Sequence, residues 1–181
     1  LRNIPNILTI LRIIAVPVFA WLVFRHTAEH SISIAFWLFV AASATDYLDG
    51  YLARKMNVVS NFGKIWDPLA DKLLVLTALA GLTWSSPFRL HILIFIMIFS
   101  RELVITILRE VYKKRGIIVA ADKLGKLKTV MQMVGLIAAY AIWVWIAIPS
   151  TGIKSIIQVW FWIVTAITLY SGVNYFMIKR Q

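Results

Sequence analysis

The chain has 181 residues, of which 61% are hydrophobic and 15% charged. A soluble domain of this size cannot bury so large an apolar fraction, which excludes a cytosolic globular enzyme. Lys and Arg outnumber Asp and Glu by 19 to 8, a formal net charge of +11, and there is no cysteine. Beside long apolar runs, that excess fits anionic head groups and phosphorylated substrates better than nucleic acid. Without cysteine there is no disulfide framework and no thiolate metal site.

A bilayer core needs about 20 mostly apolar helical residues. Six runs meet this in chain order: about Ile4 to Phe24, Ser31 to Arg54, Ile65 to Trp84, Leu90 to Tyr112, Leu127 to Ile148 and Ile153 to Ile178. Turn-forming breaks fall between them at Ser85-Ser86-Pro87 and Pro149-Ser150-Thr151-Gly152. The pattern predicts an all-α integral membrane protein with residues 1–181 as a single six-helix transmembrane domain. The first run lacks a small-residue cleavage site and contains Arg12, so it reads as a retained helix and not a signal peptide. The chain opens on Leu1 and not Met, so a few terminal residues are expected to be missing.

Orientation follows from the basic residues flanking the spans. One side holds Arg25, Arg89 and Lys154. The other holds thirteen: Arg2, Arg54, Lys55, Lys64, Arg109, Lys113, Lys114, Arg115, Lys123, Lys126, Lys128, Lys179 and Arg180. Both termini and the two basic loops are therefore expected in the cytoplasm, with the protein in the inner (plasma) membrane. Trp21, Trp37, Trp84, Trp143, Trp145, Trp160 and Trp162 fall toward the opposite helix ends, as interfacial anchors would. Trp66 sits at the inner end, and His26, His30 and His91 read as outer-surface residues.

Four of the eight acidic residues fall in one window: Asp46 and Asp49 near the end of the second span, Asp67 and Asp71 at the start of the third. Positions three or four apart lie within roughly 60° of each other around a helix, so each pair shares a face. The two helices are joined by a short connection and are expected to run antiparallel, side by side. The carboxylates then converge near the inner surface, where bare they would repel and take up protons. With Mg²⁺ or Mn²⁺ they become a cage of hard oxygens, and two such ions form a clamp for a phosphoryl group. The plainer alternative pairs them with Arg54, Lys55, Lys64 and Lys72. Gly50, Ala53 and Gly63 would leave room for a ligand against the backbone, although small residues also serve helix packing in membranes.

The window reads Asp46-x2-Asp49-Gly50-x2-Ala53-Arg54-x8-Gly63-x3-Asp67-x3-Asp71. It resembles the signature of the CDP-alcohol phosphotransferases at every fixed position. The resemblance implies a six-helix fold, usually homodimeric, with a polar cavity open to the cytoplasm. It also implies displacement of CMP from a CDP-linked lipid by an alcohol. By that resemblance Asp46, Asp49, Asp67 and Asp71 are the ligands of two divalent ions, and Asp71 is the general base. Asp46, Gly50, Ala53, Arg54 and Gly63 belong to the CDP-lipid site, and the Arg54 guanidinium can fork onto phosphate oxygens.

Cations inside the spans speak to the acceptor. Arg12 lies seven residues past Pro5, roughly 10 Å along a helix. Arg101 and Arg109 share nearly one face of the fourth span, and Lys123, Lys126 and Lys128 open the fifth. An anionic-lipid patch would account for the loop lysines, but not for Arg12 and Arg101. A phosphate site of Arg101, Arg109 and Lys126, with Arg12 assisting, explains them better. Asn3-Ile4-Pro5-Asn6-x-Leu8-Thr9-x2-Arg12 and Asp67-Pro68-Leu69-Ala70-Asp71-Lys72 are similar to stretches shared by the phosphatidylglycerophosphate and cardiolipin synthases of the superfamily. Ser100-Arg101-Glu102-Leu103 and Gly125-Lys126-x-Lys128-Thr129 are similar to the glycerophosphate branch. The expected substrates are then CDP-diacylglycerol and sn-glycerol 3-phosphate. The rivals are the same chemistry on phosphatidylglycerol, inositol phosphate or serine, or a transporter with an intramembrane ion path. The near absence of ionisable groups from the outer half of the spans argues against a path.

Overall fold

A computed structural model describes residues 4–25, 30–56, 61–114, 123–146 and 148–177. Within the helices, the side chains of 4–7, 46–56, 61–65, 67, 113–114, 123 and 174–177 lie outside the described set. Six helices follow one another: α1 (Ile4–Arg25), α2 (Ser31–Met56), α3 (Asn61–Trp84), α4 (Ile92–Lys114), α5 (Lys123–Trp145) and α6 (Thr151–Met177). Each apolar run of the sequence becomes one helix, and the ends differ by a few residues. The largest extensions are at polar ends, where α3 begins at Asn61 and α5 at Lys123. Hydrophobicity alone marks the part of a helix that sits in lipid, whereas the backbone hydrogen bonds continue past it.

Among the described residues, three stretches are long and apolar enough to cross a membrane: Leu8–Arg25, Leu124–Trp145 and Thr151–Val173. In α2 the apolar stretch is Ser31–Thr45, and the remaining helices carry charges in their spans. The outward faces of α1 and α6 are largely apolar. On α1, Ile10, Leu11, Ile14, Val18 and Trp21 are all exposed, as are Ile156, Val159 and Ile163 on α6. Such a surface is stable against acyl chains and not against water. Several span hydroxyls find partners within their own helix, where lipid offers none. Ser43 donates to the Phe39 carbonyl at 2.8 Å, and Thr83 to the Leu79 carbonyl at 2.9 Å.

Among the described residues, α1 packs mainly against α3 and α2, α5 against α6 and α2, and α4 against α6. The direct α2–α3 contact is slight, because α1 lies against both. The core centres on Phe19, Phe39, Leu74, Leu79, Ile98, Leu136, Tyr140 and Phe161, each fully or almost fully buried. Phe19, Phe39 and Tyr140 form an aromatic plug, with centroids 5.8 Å apart for Phe19–Phe39 and 5.6 Å for Phe19–Tyr140. The Tyr140 hydroxyl donates to the Ala78 carbonyl at 3.0 Å, and Gly81 makes room for its oxygen.

The α3–α4 turn is tied by Ser86, whose hydroxyl donates to the Leu82 carbonyl at 2.7 Å and accepts from the Phe88 N–H at 3.2 Å. Arg89 takes a left-handed conformation there, with φ 44°. His91 is exposed, as the sequence suggests, and caps α4: its Nδ1 accepts from the Leu93 N–H at 3.3 Å. Trp160 differs from the expected interfacial anchor. Its indole N–H donates to the Met131 carbonyl at 3.1 Å, and the ring lies over Gly135. It is a packing key between α5 and α6.

Candidate functional site

The polar centre is assembled by α3, α4, α5 and α6. Asp71 and Lys72 are neighbours on α3, about 100° apart around the helix, and both are half-buried. The Lys72 ammonium donates to the Thr106 hydroxyl on α4. That hydroxyl lies against the Glu102 carbonyl, one turn back. The Glu102 side chain then gathers two cations. Its Oε1 accepts from Arg101 Nη1 at 3.0 Å and from the Lys128 ammonium of α5. Arg101 Nη2 donates to the Ser171 hydroxyl on α6 at 3.1 Å.

These charges are largely withdrawn from the surface: the side chains of Arg101, Glu102 and Lys128 are 10%, 13% and 8% exposed. Asp71, Arg101 and Arg109 all lie within electrostatic reach of Lys72, and Asp71, Arg101 and Lys72 within reach of Lys128. Four cations therefore face two carboxylates. Burying like charges together is costly unless an anion shares the site. The arrangement can hold a phosphate beside a carboxylate, and that is its chemical meaning.

Small residues make the approach possible. A Cβ on Gly172 would stand 3.4 Å from Arg101 Cγ, and one on Gly125 would stand 3.7 Å from the Ser171 hydroxyl. The glycines thus set α4, α5 and α6 close enough for Arg101 to span them.

The structure brings together Asp71, Arg101 and Arg109 of the residues singled out from sequence, and adds Lys72, Glu102, Lys128 and Ser171. Lys126 is exposed while Lys128 is buried. Positions two apart point to nearly opposite sides of a helix, so only one of them can face the group. The stripe of buried residues Lys128, Gln132, Leu136 and Tyr140 on α5 carries that signal in sequence. Ser171 and Gly172 carry no such local signal. Arg12 is buried on α1, whose helical neighbours are α2 and α3, the two motif helices. It therefore stands on the motif side of the bundle.

Asp46 and Asp49 lie on α2 and Asp67 on α3, with Gly50, Ala53, Arg54 and Gly63 on the same two helices. Their side chains lie outside the described residues, and so does the convergence of the four carboxylates. Among the described residues no three carboxylate or imidazole side chains gather. The donors the sequence supplies are carboxylate oxygens alone, which suits a hard divalent ion. Asp71, the described one, keeps part of its surface open beside the cations. These residues fit such an ion.

A family model for CDP-alcohol phosphatidyltransferases matches residues 2–176. The chain belongs to the CDP-alcohol phosphatidyltransferase family. The expectation drawn from the eight-position motif is borne out, and so is its likeness to the glycerophosphate branch. A CDP-diacylglycerol–glycerol-3-phosphate 3-phosphatidyltransferase of Rickettsia typhi is 35% identical over 179 residues, covering 97% of this chain and 96% of that protein. One of Bacillus subtilis is 42% identical over 147 residues, 75% of each chain. One of Mycoplasma genitalium is 39% identical over 140 residues, 77% of this chain and 58% of that longer protein. Membership makes this a membrane-embedded transferase, in keeping with its apolar helices.

Proposed function

We propose that this family member transfers the phosphatidyl group of CDP-diacylglycerol to sn-glycerol 3-phosphate, giving phosphatidylglycerophosphate and CMP. The observation that carries the choice of acceptor is the buried group of Arg101, Lys128 and Lys72 beside Asp71. An acceptor without a phosphate would leave the excess of these cations over Glu102 and Asp71 unbalanced. The names of the Rickettsia typhi and Bacillus subtilis relatives support the same substrates.

In the mechanism, Arg101 and Lys128 hold the phosphate of the acceptor, with Arg109 and Lys72 adding charge and Arg12 assisting from the motif side. Glu102 fixes Arg101 and Lys128 so that their N–H groups point at one place before the ligand arrives. Asp71 takes the proton of the C1 hydroxyl. The freed oxygen attacks the lipid-bearing phosphorus, a new P–O bond forms, and the bond to CMP breaks with its electron pair on CMP. The CDP-lipid rests against Asp46, Gly50, Ala53, Arg54 and Gly63. Two divalent ions, Mg²⁺ or Mn²⁺, held by Asp46, Asp49, Asp67 and Asp71, supply positive charge to the phosphates when bound. The chain works as one six-helix domain, as a homodimer in the inner membrane, with its site and both termini facing the cytoplasm.

The test is CMP release from CDP-diacylglycerol in detergent with a panel of alcohols: sn-glycerol 3-phosphate, phosphatidylglycerol, inositol phosphate and serine. Turnover confined to sn-glycerol 3-phosphate and lost with chelator is the expected result. Faster turnover on any other acceptor of the panel would reject the reading.

A further inference from the structure

The groups that hold charge do not account for all the buried polarity. Gln132 lies on α5 one turn beyond Lys128 and is 4% exposed, yet its amide nitrogen has no hydrogen-bond partner among the described residues. Thr168 on α6, three residues before Ser171, is fully buried and its hydroxyl likewise has none. Thr165, on the same helix, returns its hydroxyl to the Phe161 carbonyl at 2.7 Å. Thr168 does not. Buried donors left unmade are destabilising and call for an explanation.

Their positions supply one. Gly125 meets Ser171 and Gly135 meets Phe161, which sets the register of α5 against α6. Three residues on from the first pair, Lys128 stands level with Thr168, and Gln132 follows one turn deeper. Past them the same faces are apolar or self-satisfied, with Leu136 and Tyr140 on α5, Val164 and Phe161 on α6, and the Thr165 hydroxyl returned to its own helix. Gln132 and Thr168 thus mark the floor where the charged group meets the core.

We infer that Gln132 and Thr168 determine acceptor specificity by hydrogen-bonding the uncharged hydroxyl on the middle carbon of glycerol 3-phosphate. The inference rests on the proposed function. The acceptor's phosphate belongs to Arg101 and Lys128 and its reacting hydroxyl to Asp71, so the middle hydroxyl is the polar group left over. One helical turn is about 5.4 Å, and the middle hydroxyl, four bonds from the phosphorus, lies within that reach. Neutral donors suit a neutral oxygen, because a phosphate would be taken by the cations beside them. An ester carbonyl of the lipid is the other neutral oxygen within the reaction, and the test separates the two.

The test measures kcat/KM of the full chain with sn-glycerol 3-phosphate and with 3-hydroxypropyl phosphate, which lacks the middle hydroxyl. The wild-type chain prefers glycerol phosphate by about ten-fold or more. Gln132→Leu abolishes that preference by lowering kcat/KM for glycerol phosphate alone, and Thr168→Val, of nearly equal volume, reduces it. Should Gln132→Leu fail to fold, Thr168→Val carries the test. An unchanged preference in the variants overturns the inference, as does a raised KM for CDP-diacylglycerol with the preference intact. A wild-type chain inactive on glycerol phosphate overturns the proposed function and this inference with it. An active wild type with unaltered variants overturns this inference alone.

Discussion

Arg101 on α4 donates to the hydroxyl of Ser171 on α6 at 3.1 Å, joining residues 70 positions apart in the chain. The same guanidinium is held by Glu102 at 3.0 Å, so its plane is set from two sides. A rigid fork loses little freedom when it takes up a phosphate. Ser171→Ala should therefore raise KM for sn-glycerol 3-phosphate by about three- to ten-fold, the worth of one hydrogen bond to a charged group. KM for CDP-diacylglycerol should stay within about two-fold. Initial-rate kinetics on both substrates checks this.

Glu102 is acidic in a place that otherwise gathers cations, and its role is to aim Arg101 and Lys128. Glu102→Gln keeps the shape and removes the charge. The expected result is a rise of about 10–100-fold in KM for the phosphorylated acceptor. A variant that instead bound the acceptor more tightly would show that Glu102 merely competes with it.

Lys126 and Lys128 offer a paired comparison within one helical turn. Lys128 is buried against Glu102 and Lys126 is exposed. Lys128→Ala should lower kcat/KM for the phosphorylated acceptor by about 30-fold or more, since it removes a cation of the phosphate site and one of the two partners of the buried Glu102 carboxylate. Lys126→Ala should cost about three-fold or less. The reverse order would return the phosphate site to the residue suggested by sequence.

Asp71→Asn removes the base and one carboxylate at once. CMP release should fall by about 10²–10⁴-fold, with little change in the acceptor's KM. Addition of chelator to the wild-type chain should likewise abolish release, and Mg²⁺ or Mn²⁺ should restore it. Near-normal release from Asp71→Asn would reject the mechanism.

Gly135 tests the packing and not the chemistry. A Cβ there would stand 2.4 Å from the Trp160 indole nitrogen, so α5 and α6 would have to part. Gly135→Ala should destabilise the protein by about 1–3 kcal/mol, read as a lower melting temperature in detergent. KM values should be unchanged in the fraction that remains folded.

The helices were legible because lipid demands long apolar runs and a charge ends or marks them. The motif Asp46 to Asp71 was legible as eight fixed positions in order, and the family it pointed to is borne out. Arg101 was readable as a charge too deep to be casual. Ser171 was not, since a serine in a span satisfies itself locally in many helices and only tertiary contact reveals its partner. Trp160 misled for a related reason. Tryptophan composition marks the interface on average, whereas the space over Gly135 was visible only once α5 met α6. Lys128 lay between: the pattern of buried residues on α5 selects it, provided the helical phase is followed past the first turn.

The aromatic plug has a consequence beyond the catalytic step. Phe19, Phe39 and Tyr140 fill the middle of the bundle with mutually packed rings, and Tyr140 is anchored to Ala78. A head group entering from the charged side meets a closed wall and must leave by the way it came, sliding out sideways among neighbouring lipids. Under the proposed function, newly made anionic lipid would then accumulate in a single leaflet, and evening out the two sheets of the bilayer would fall to some other machine.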